Sequence, residues 1–481
     1  MGDEIAHSNF SVADLEQFEQ RLREETQLLG QWFHDRAFSS HVPVCGLELE
    51  AWLIDAGAMP AARNSAFLEA MGDPMVVPEL ARFNVELNVD PQPLRGPALS
   101  RLHQELEQTW THCQSVAAGL DTRLVMIGIL PSVEPSHLTL ANMSELKRYR
   151  ALNEQVLRLR EGKPLRLDIR GREHLALEHH DVMLESAATS LQLHLKVAVD
   201  DSVRYYNAAQ IVAAPMVAAA ANSPFLFGRD LWDETRIPLF EQSVEVGGFA
   251  GASRGPLRRV SFGTGYAKET LFECFMENQQ HFPVMLPMPF DTPLQDMRHV
   301  RLHNGTIWRW NRPLIGYDDD GTPHLRIEHR VLPAGPSVID GIASAAFFYG
   351  LAHALAVQET APEKQLPFAT ARDNFYAVAR EGLDAQITWL DGRKSPVQAL
   401  LLERLLPRAR EGLELLGIDA GDCDRYLGIV EERIVNGCTG CNWQRAWVTR
   451  HGADMQRLTE AYYRRQQSGE PVHHWDVEAD G

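Results

Sequence analysis

The chain has 481 residues, of which 44% are hydrophobic and 23% are charged, the composition of an ordinary globular protein. Its 46 basic and 65 acidic residues give a net charge of −19, which argues against a broad surface for nucleic acid or for an anionic membrane. Six cysteines are too few for a disulfide scaffold and suit a reducing compartment. The acidic N-terminus has no signal-peptide pattern, so we expect a cytoplasmic protein, with its oligomeric state left open.

The first predicted element is a long amphipathic helix over residues 11–37. Ser11 and Asp14 form a capping-box-like start, and apolar residues then recur at helical spacing. The next elements expected in chain order are strands at 42–54 and 82–89, a helix at 99–118, a strand at 122–130, a basic helix at 144–160, a strand at 190–199, a helix at 205–221, strands at 298–313 and 324–332, and an apolar helix at 337–357. From about residue 370 onward the pattern predicts only charged helices and a polar tail.

This order of elements indicates an α+β fold with a curved, mainly antiparallel sheet and helices on one face, because strands are scattered between helices and several connections are long. A doubly wound sheet is disfavoured, since no strand leads into a Gly-rich helix start of the dinucleotide-binding type. We divide the chain into an N-terminal helix (1–40), a domain that carries the sheet (41–365), and a C-terminal helical extension with a polar tail (366–481).

Four predicted strands alternate apolar and polar side chains, and each therefore presents one polar face. A sheet with one solvated face is the commonest cause of such alternation and explains any single strand. A solvated face explains the four strands together less well, because carboxylates gathered on a curved sheet repel one another unless cations neutralise them. The residues that these faces and the segment just before the second strand contribute are Glu48, Glu50, Glu79, Glu86, His194 and Glu328.

Carboxylate oxygens are the ligands that hard divalent cations prefer, so Mg²⁺ is the natural partner of these six residues, with Mn²⁺ as an option. Arg309, Arg312, Arg326 and Arg330 add positive charge near the fourth strand. Metal-binding carboxylates beside guanidinium groups are the arrangement that phosphoryl transfer requires. The polar faces therefore predict a site for a metal-bound nucleotide.

Five segments, taken in order, resemble the glutamate–cysteine ligase superfamily, and within it the second type, the bacterial carboxylate–amine ligases. They are GLELEAWLID (46–55), PELARFNVELN (78–88), SLQLHLKV (190–197), IWRWNRP (307–313) and LRIEHRV (325–331). The resemblance extends over about residues 40–360. It implies a glutamine-synthetase-like fold, in which a curved antiparallel sheet forms a funnel with helices on its outer face, and it makes residues 41–365 the catalytic domain.

The resemblance also implies a reaction: the ATP-dependent joining of a carboxylate to an amine through an acyl phosphate, with a γ-glutamyl product. The six acidic and histidine residues would hold two or three Mg²⁺ ions. Arg330 would contact the transferred phosphoryl group, with Arg312 and Glu328 also in the catalytic set. The residues implied to bind nucleotide phosphates or substrates are Arg309, Arg312, Arg330, Gln192 and, from a nearby loop, Arg258.

Two departures from the family pattern leave the substrates open. WRWNRP (308–313) lacks the acidic residue expected between Trp and Arg, and Asn84 and Asn88 match no position of the pattern. Both lie where amino-acid substrates would bind. Alternatives to a glutamate-specific ligase are therefore a ligase with another acid and amine, a phosphotransferase of the same fold, and a catalytically silent binding protein.

Three further motifs carry weaker signals. Residues 251–255 have nucleophile-elbow spacing but lie in a Gly-rich stretch before Pro256, so a serine hydrolase is disfavoured. Arginines in and after this stretch favour a lid over phosphates, and a plain surface loop is an equal alternative. The lone CxxC at 438–441 and the histidine pairs at 179–180 and 473–474 are expected to be ordinary residues rather than metal sites.

Overall fold

The computed structural model describes residues 10–40, 43–246 and 257–478. The segment with nucleophile-elbow spacing and much of the predicted lid lie outside the described residues. The helix that begins after Ser11 is confirmed, because Ser11 accepts a hydrogen bond from the Asp14 backbone and Asp14 accepts one from the Ser11 backbone.

Helices account for about half of the structure. They are α1 (Val12–Asp35), α2 (Asn64–Met71), α3 (Ala98–Ala118), α4 (Lys147–Leu159), α5 (Ser202–Ala220), α6 (Arg236–Ser243), α7 (Phe272–His281), α8 (Arg298–Gly305), α9 (Val338–Val357), α10 (Phe368–Glu381), α11 (Val397–Leu400), α12 (Leu406–Leu415), α13 (Ala420–Val435), α14 (Gly440–His451) and α15 (Met455–Gln466). The strands are β1 (Val44–Ile54), β2 (Val76–Pro78), β3 (Asn84–Asn88), β4 (Gln92–Pro93), β5 (Arg123–Val125), β6 (Leu165–Arg170), β7 (His174–His179), β8 (Ser190–Val197), β9 (Phe225–Leu226), β10 (Arg229–Asp230), β11 (Val260–Ser261), β12 (Trp308–Arg309), β13 (Asn311–Tyr317), β14 (Pro323–Pro333), β15 (Gln386–Thr388) and β16 (Lys394–Pro396).

Eight of these strands form one curled, antiparallel sheet that resembles a half-barrel. Its strands lie in the order β13-β14-β8-β1-β3-β2, and β4 and β5 also pair with β1. The central neighbours β14, β8, β1 and β3 are far apart in the sequence, except that β1 and β3 are separated by about 30 residues, whereas β13 with β14 and β2 with β3 are sequential; the register at the centre of the sheet therefore rests on long-range pairing. The predicted α+β class and curved antiparallel sheet are confirmed.

The apolar face of the sheet packs against α9 and α5, which lie on its outer side. The Tyr349 hydroxyl of α9 donates a hydrogen bond of 2.9 Å to the Gly46 carbonyl of β1, and Phe348 stacks on His329 of β14 with ring centroids 4.2 Å apart. Among the described residues, α9 is the one helix long and apolar enough to cross a membrane by length and composition. Nearly all of α9 is buried, as expected of a core helix.

The C-terminal helices pack on the same hydrophobic core as the sheet. Arg433 of α13 forms a buried ion pair of 2.8 Å with Asp340 of α9. Gly350 of α9 and Gly412 of α12 lie so close that a side chain at either would strike the backbone of the other helix. Gln466 of α15 donates a hydrogen bond of 2.7 Å to the Met126 carbonyl.

Three sequence predictions about elements are wrong. Residues 298–313 form α8, β12 and the start of β13 rather than one strand, because His299, Val300, His303 and Asn304 bury one side of a helix. In 122–130 only Arg123–Val125 pairs as a strand. Beyond it, Gln466 and Thr189 side chains bind the backbone carbonyls of Met126 and Ile127. The C-terminal part is not wholly helical, since β15 and β16 form a hairpin.

Candidate functional site

The polar side chains of β1, β3, β8 and β14 meet because these four strands are neighbours in register. Glu50 of β1 lies directly opposite Glu86 of β3. His194 of β8 lies opposite Glu328 of β14 and, on its other side, opposite Gly46, two residues before Glu48. Strands that are distant in sequence thus bring carboxylates and an imidazole together on the inner face of the sheet.

The first group, which we call the histidine triad, consists of Glu48, His194 and Glu328. Their ligand atoms all lie within 4.8 Å of one another, and the His194 Nε2 is 3.1 Å from the Glu48 Oε1. The buried His194 Nδ1 has no hydrogen-bond partner among the described residues. The triad therefore offers two carboxylates and one imidazole that converge on one point.

The second group, which we call the glutamate triad, consists of Glu50, Glu79 and Glu86, and its ligand atoms also lie within 4.8 Å of one another. Glu50 is fixed by hydrogen bonds of 2.7 Å from the Ser190 backbone and 2.8 Å from the Gln192 amide. Glu79 follows β2 directly, and within the described ranges its buried Oε1 has no hydrogen-bond partner. The structure thus brings all six predicted metal ligands together, in two triads.

The two triads differ in their electrostatic environment. Burial and the neighbouring Glu48 raise the pKa of Glu86 to about 7, and burial and the other carboxylates raise the pKa of Glu79 well above its ordinary value. Burial alone would also raise the pKa of Glu328, but Arg312, Arg330 and His194 outweigh it and lower that pKa to about 2. Within the site, the carboxylates of the glutamate triad are therefore the ones least balanced by neighbouring positive charge.

Two arginines of the predicted catalytic set lie at the histidine triad. Arg312 binds Glu328 through two hydrogen bonds, of 2.8 Å from Nε and 3.0 Å from Nη2. Arg330 donates one hydrogen bond to Gln192 and one, of 3.2 Å, to Glu328. Since Gln192 also donates a hydrogen bond to Glu50, the Arg330 guanidinium connects Glu328 of one triad to Glu50 of the other through Gln192.

The structure does not bring two other predicted binding residues to the triads. Arg309 is buried against α7, where it donates hydrogen bonds of 2.6 Å to both Glu277 and Asn278. Arg258 is half-exposed, with its Nε 3.8 Å from the Glu245 Oε1. Neither lines the cavity described next, so a direct phosphate contact by either one stays a prediction.

A cavity of about 290 Å³ begins at the histidine triad, with Glu48 and Glu328 in its wall. Arg312, Arg326 and the helical Arg148, Arg298 and Arg301 line it, and its apolar wall includes Phe275, Phe290, Leu302 and Trp308. The first two arginines lie in predicted strands, at 298–313 and 324–332, and were named with the candidate site. The three arginines on helices were not among the binding residues predicted from the sequence. Two features could have indicated them: the basic character of 144–160, and the spacing of Arg298 and Arg301, which places both on one side of a helix. An arginine-lined cavity beside carboxylates suits an anionic substrate with an apolar part.

Sequence reasoning also missed Glu185, a half-buried carboxylate between α4 and β8. Burial and the charge of Glu50 raise the pKa of Glu185 to about 8. Its charge in turn contributes to the raised pKa of Glu79. No strand alternation marks this residue, because it lies in a helical turn over Val182–Ala187, and only the fold places its charge near the glutamate triad.

The donor atoms of both triads fit hard divalent cations. Five of the six side chains offer carboxylate oxygens, which Mg²⁺ and Mn²⁺ prefer. In the part of the chain that the structure describes, the buried Glu79 Oε1 has no hydrogen-bond partner, and the burial of such an atom costs free energy unless a partner binds it. Such a partner would also neutralise the carboxylates whose pKa values are raised.

Comparison with known proteins gives one family match. A model described as glutamate-cysteine ligase family 2 matches residues 44–461. No curated protein matches the sequence.

Among solved structures, a glutamate–cysteine ligase from Francisella tularensis in complex with AMP has a TM-score of 0.54 at 12% identity, covering 92% of this chain and 91% of that one. A bifunctional glutathione synthetase from Pasteurella multocida has a TM-score of 0.51 at 12% identity, covering 91% of this chain and 54% of that one. At these identities the likenesses show a shared fold.

Proposed function

The chain belongs to glutamate–cysteine ligase family 2, and from this premise we propose that it is an ATP- and Mg²⁺-dependent carboxylate–amine ligase. In this proposal the product is an amide of the γ-glutamyl type, formed through an acyl phosphate. The observation that carries it is the junction of two carboxylate-rich triads with an arginine-lined cavity. The AMP bound in the Francisella structure supports a nucleotide as one occupant of that cavity.

Each triad would hold divalent cations through its own oxygen atoms. Glu50, Glu79 and Glu86 form the triad in which a cation is needed most, since burial and neighbouring carboxylates raise the pKa values of Glu79 and Glu86 and so disfavour their charged forms. When bound, Mg²⁺ would neutralise phosphate oxygens and polarise the phosphoryl group.

The arginines have the complementary task. Arg330 and Arg312 already lie against Glu328, and a phosphoryl group entering beside them would receive guanidinium N–H donors. Such donors stabilise charge that moves to the equatorial and leaving oxygens during transfer. Arg298 and Arg301 of α8, further along the cavity, would bind the remaining phosphates or a substrate carboxylate.

The reaction needs no side-chain nucleophile. The substrate carboxylate oxygen attacks the γ-phosphorus, the bond from that phosphorus to the bridging oxygen breaks, and ADP leaves. The amine nitrogen then attacks the acyl carbon, loses a proton, and displaces inorganic phosphate. The protein contributes by fixing the two substrates in line and by excluding water, which would otherwise hydrolyse the acyl phosphate.

The experiment that tests this proposal measures ADP release by the full-length chain with Mg-ATP. Pairs of one acid and one amine are screened, with glutamate first among the acids and cysteine first among the amines. We expect release to require both members of a pair, with the amide found by mass spectrometry. ADP release without amine, with a stable phosphorylated acceptor as product, would favour the same-fold phosphotransferase. No ADP release with any pair would favour a binding protein.

A further inference from the structure

The C-terminal segment brings two imidazoles and a carboxylate together outside the proposed ligase site. His473 and His474 lie in a turn over Val472–His474, and Glu432 lies near the end of α13. The ligand atoms of these three residues all lie within 4.8 Å of one another.

The distances suit a metal ion. The His473 Nε2 is 2.8 Å and the His474 Nε2 is 3.8 Å from the same Glu432 Oε2. Ligand atoms that each lie about 2.0–2.1 Å from a tetrahedral ion are roughly 3.3 Å apart. The two observed separations bracket that value, so small side-chain rotations would place all three atoms around one ion.

A further carboxylate orients one of the imidazoles. Glu470 Oε2 lies 3.0 Å from the His474 Nδ1, which leaves the Nε2 of that ring directed toward Glu432. Histidines that bind metal ions through one ring nitrogen commonly donate the other N–H to a carboxylate. His474 therefore already has the orientation of such a ligand.

The three side chains differ in their access to solvent. The His473 side chain is 2% exposed, so the surrounding protein holds its ring in place. The side chains of His474 and Glu432 are 53% and 62% exposed, so an ion has access from solvent and water can complete its coordination.

The turn that carries the imidazoles is held rigidly. The Val472 backbone donates a hydrogen bond of 2.9 Å to Asp340, which also pairs with Arg433, the residue after Glu432. The Trp475 ring packs edge-on against Trp443 and Tyr462, with centroids 5.4 and 5.1 Å apart. Both sides of the cluster are thus anchored on the same buried aspartate, which limits the entropy lost when a ligand binds.

We propose that Glu432, His473 and His474 bind one divalent transition-metal ion of the Zn²⁺ class. Two imidazoles and one carboxylate favour Zn²⁺, Co²⁺ or Ni²⁺ over Mg²⁺, which prefers oxygen ligands. The ion would fasten the C-terminal segment to α13. This site shares no residue with either triad and is independent of the proposed ligase function.

The test is a Co²⁺ titration of the chelator-stripped, full-length chain, followed by visible absorption. We expect one equivalent of Co²⁺ to give the intense d–d bands of a site with four or five ligands, and Zn²⁺ to bleach them. The bands should be lost in His474→Ala and Glu432→Gln, whose side chains are exposed enough for the fold to tolerate the change. Glu470→Gln should weaken Co²⁺ binding by about 10- to 100-fold.

Two controls separate this site from other cobalt sites. His180→Ala alters the exposed member of the chain's other histidine pair, and Glu79→Gln alters the glutamate triad. Both should keep the bands at full intensity. Absence of the bands in the unaltered chain, or their persistence in both His474→Ala and Glu432→Gln, would overturn the proposal and leave an ordinary ion-pair cluster.

Discussion

Glu50 and Glu86 lie directly opposite each other in the antiparallel pair of β1 and β3, and both side chains are buried. Like charges in this position destabilise a sheet, and burial adds to the cost. These two buried charges therefore destabilise the metal-free protein. We interpret this loss of stability as the consequence of a cation site, and we expect the stability of the protein to depend on pH and on metal.

The contribution of Glu86 to the stability of the metal-free protein should fall as pH rises. Burial and neighbouring carboxylates raise the pKa of Glu86 from 4.5 to about 7, so between these pH values this group binds more protons in the folded state than in the unfolded chain, and its contribution to the free energy of unfolding decreases with pH. Burial lowers the pKa values of His303 and His329, which gives an opposite dependence below about pH 6.5, so the measurement is the Tm difference between the unaltered protein and Glu86→Gln, both treated with chelator. We expect this difference to move in favour of the variant between pH 5 and about pH 8. A Tm difference that stays constant over this range would contradict the assignment.

Glu328→Gln should abolish turnover with little loss of fold. The amide keeps an acceptor for Arg312 but removes the charge that both Arg312 and the histidine triad require. A loss of about 100-fold or more in the rate of ADP release is expected, the size of effect seen when one strong electrostatic contact to a transition state is removed. Glu178→Gln, which removes the charge of an exposed carboxylate paired with Arg166 outside the cavity, is the matched control. Equal activity in the two variants would remove Glu328 from the catalytic set.

Arg330→Lys should lower kcat more than it raises KM. Lysine keeps the positive charge but cannot form the planar, two-pronged contact of a guanidinium with a phosphoryl group. The hydrogen bonds to Gln192 and Glu328 show that this side chain is already oriented between the triads. Steady-state kinetics with saturating Mg-ATP measure the effect. An unchanged kcat with weakened substrate binding would assign Arg330 to positioning alone.

Arg301→Ala should raise the KM for an anionic substrate by about 10-fold or more, since a hydrogen bond to a charged group contributes roughly 1.5–3 kcal/mol. Arg301 lines the cavity from α8. Arg372→Ala is the control, because that arginine is exposed and pairs with Asp373 on α10. Separate titrations of ATP and of the acid would identify which substrate Arg301 binds. Unchanged KM values for both would exclude Arg301 as a contact to either substrate.

Chelation by EDTA should abolish ADP release, and added Mg²⁺ should restore it, with Mn²⁺ as a substitute. The reason is that the glutamate triad cannot accept a triphosphate beside its own charges unless cations lie between them. The residual rate after dialysis against EDTA is the measurement. Turnover that resists chelation would contradict the metal assignment of both triads.

Local patterns in the sequence were enough to predict much of the sheet and of the candidate site. Alternation along 42–54, 82–89, 190–199 and 324–332 predicts strands with one polar face, because side chains on a strand alternate whatever its partners are. The same alternation selects Glu48, Glu50, Glu86, His194 and Glu328, and Glu79 stands just before the second of these strands. The resemblance to ligases adds the expectation that these residues bind metal ions.

Other features depend on pairing across long stretches of chain. The division of six ligands into two triads follows from the order β14-β8-β1-β3, which no local pattern contains. Arg309 turns toward Glu277 on α7, although its spacing from Arg312 gave no sign of a different environment. Residues 298–305 were misjudged because a short amphipathic helix and a half-buried strand have similar composition.

The sequence by itself determined which side chains face away from the apolar core, since that choice depends only on the two-residue period of a strand and on the hydrophobic effect. Tertiary structure decided which of those side chains meet. Glu50 faces Glu86, and Glu432 meets His473 and His474, only because distant segments pair and pack to bury the apolar faces, and that burial fixes the positions of the polar groups carried with them.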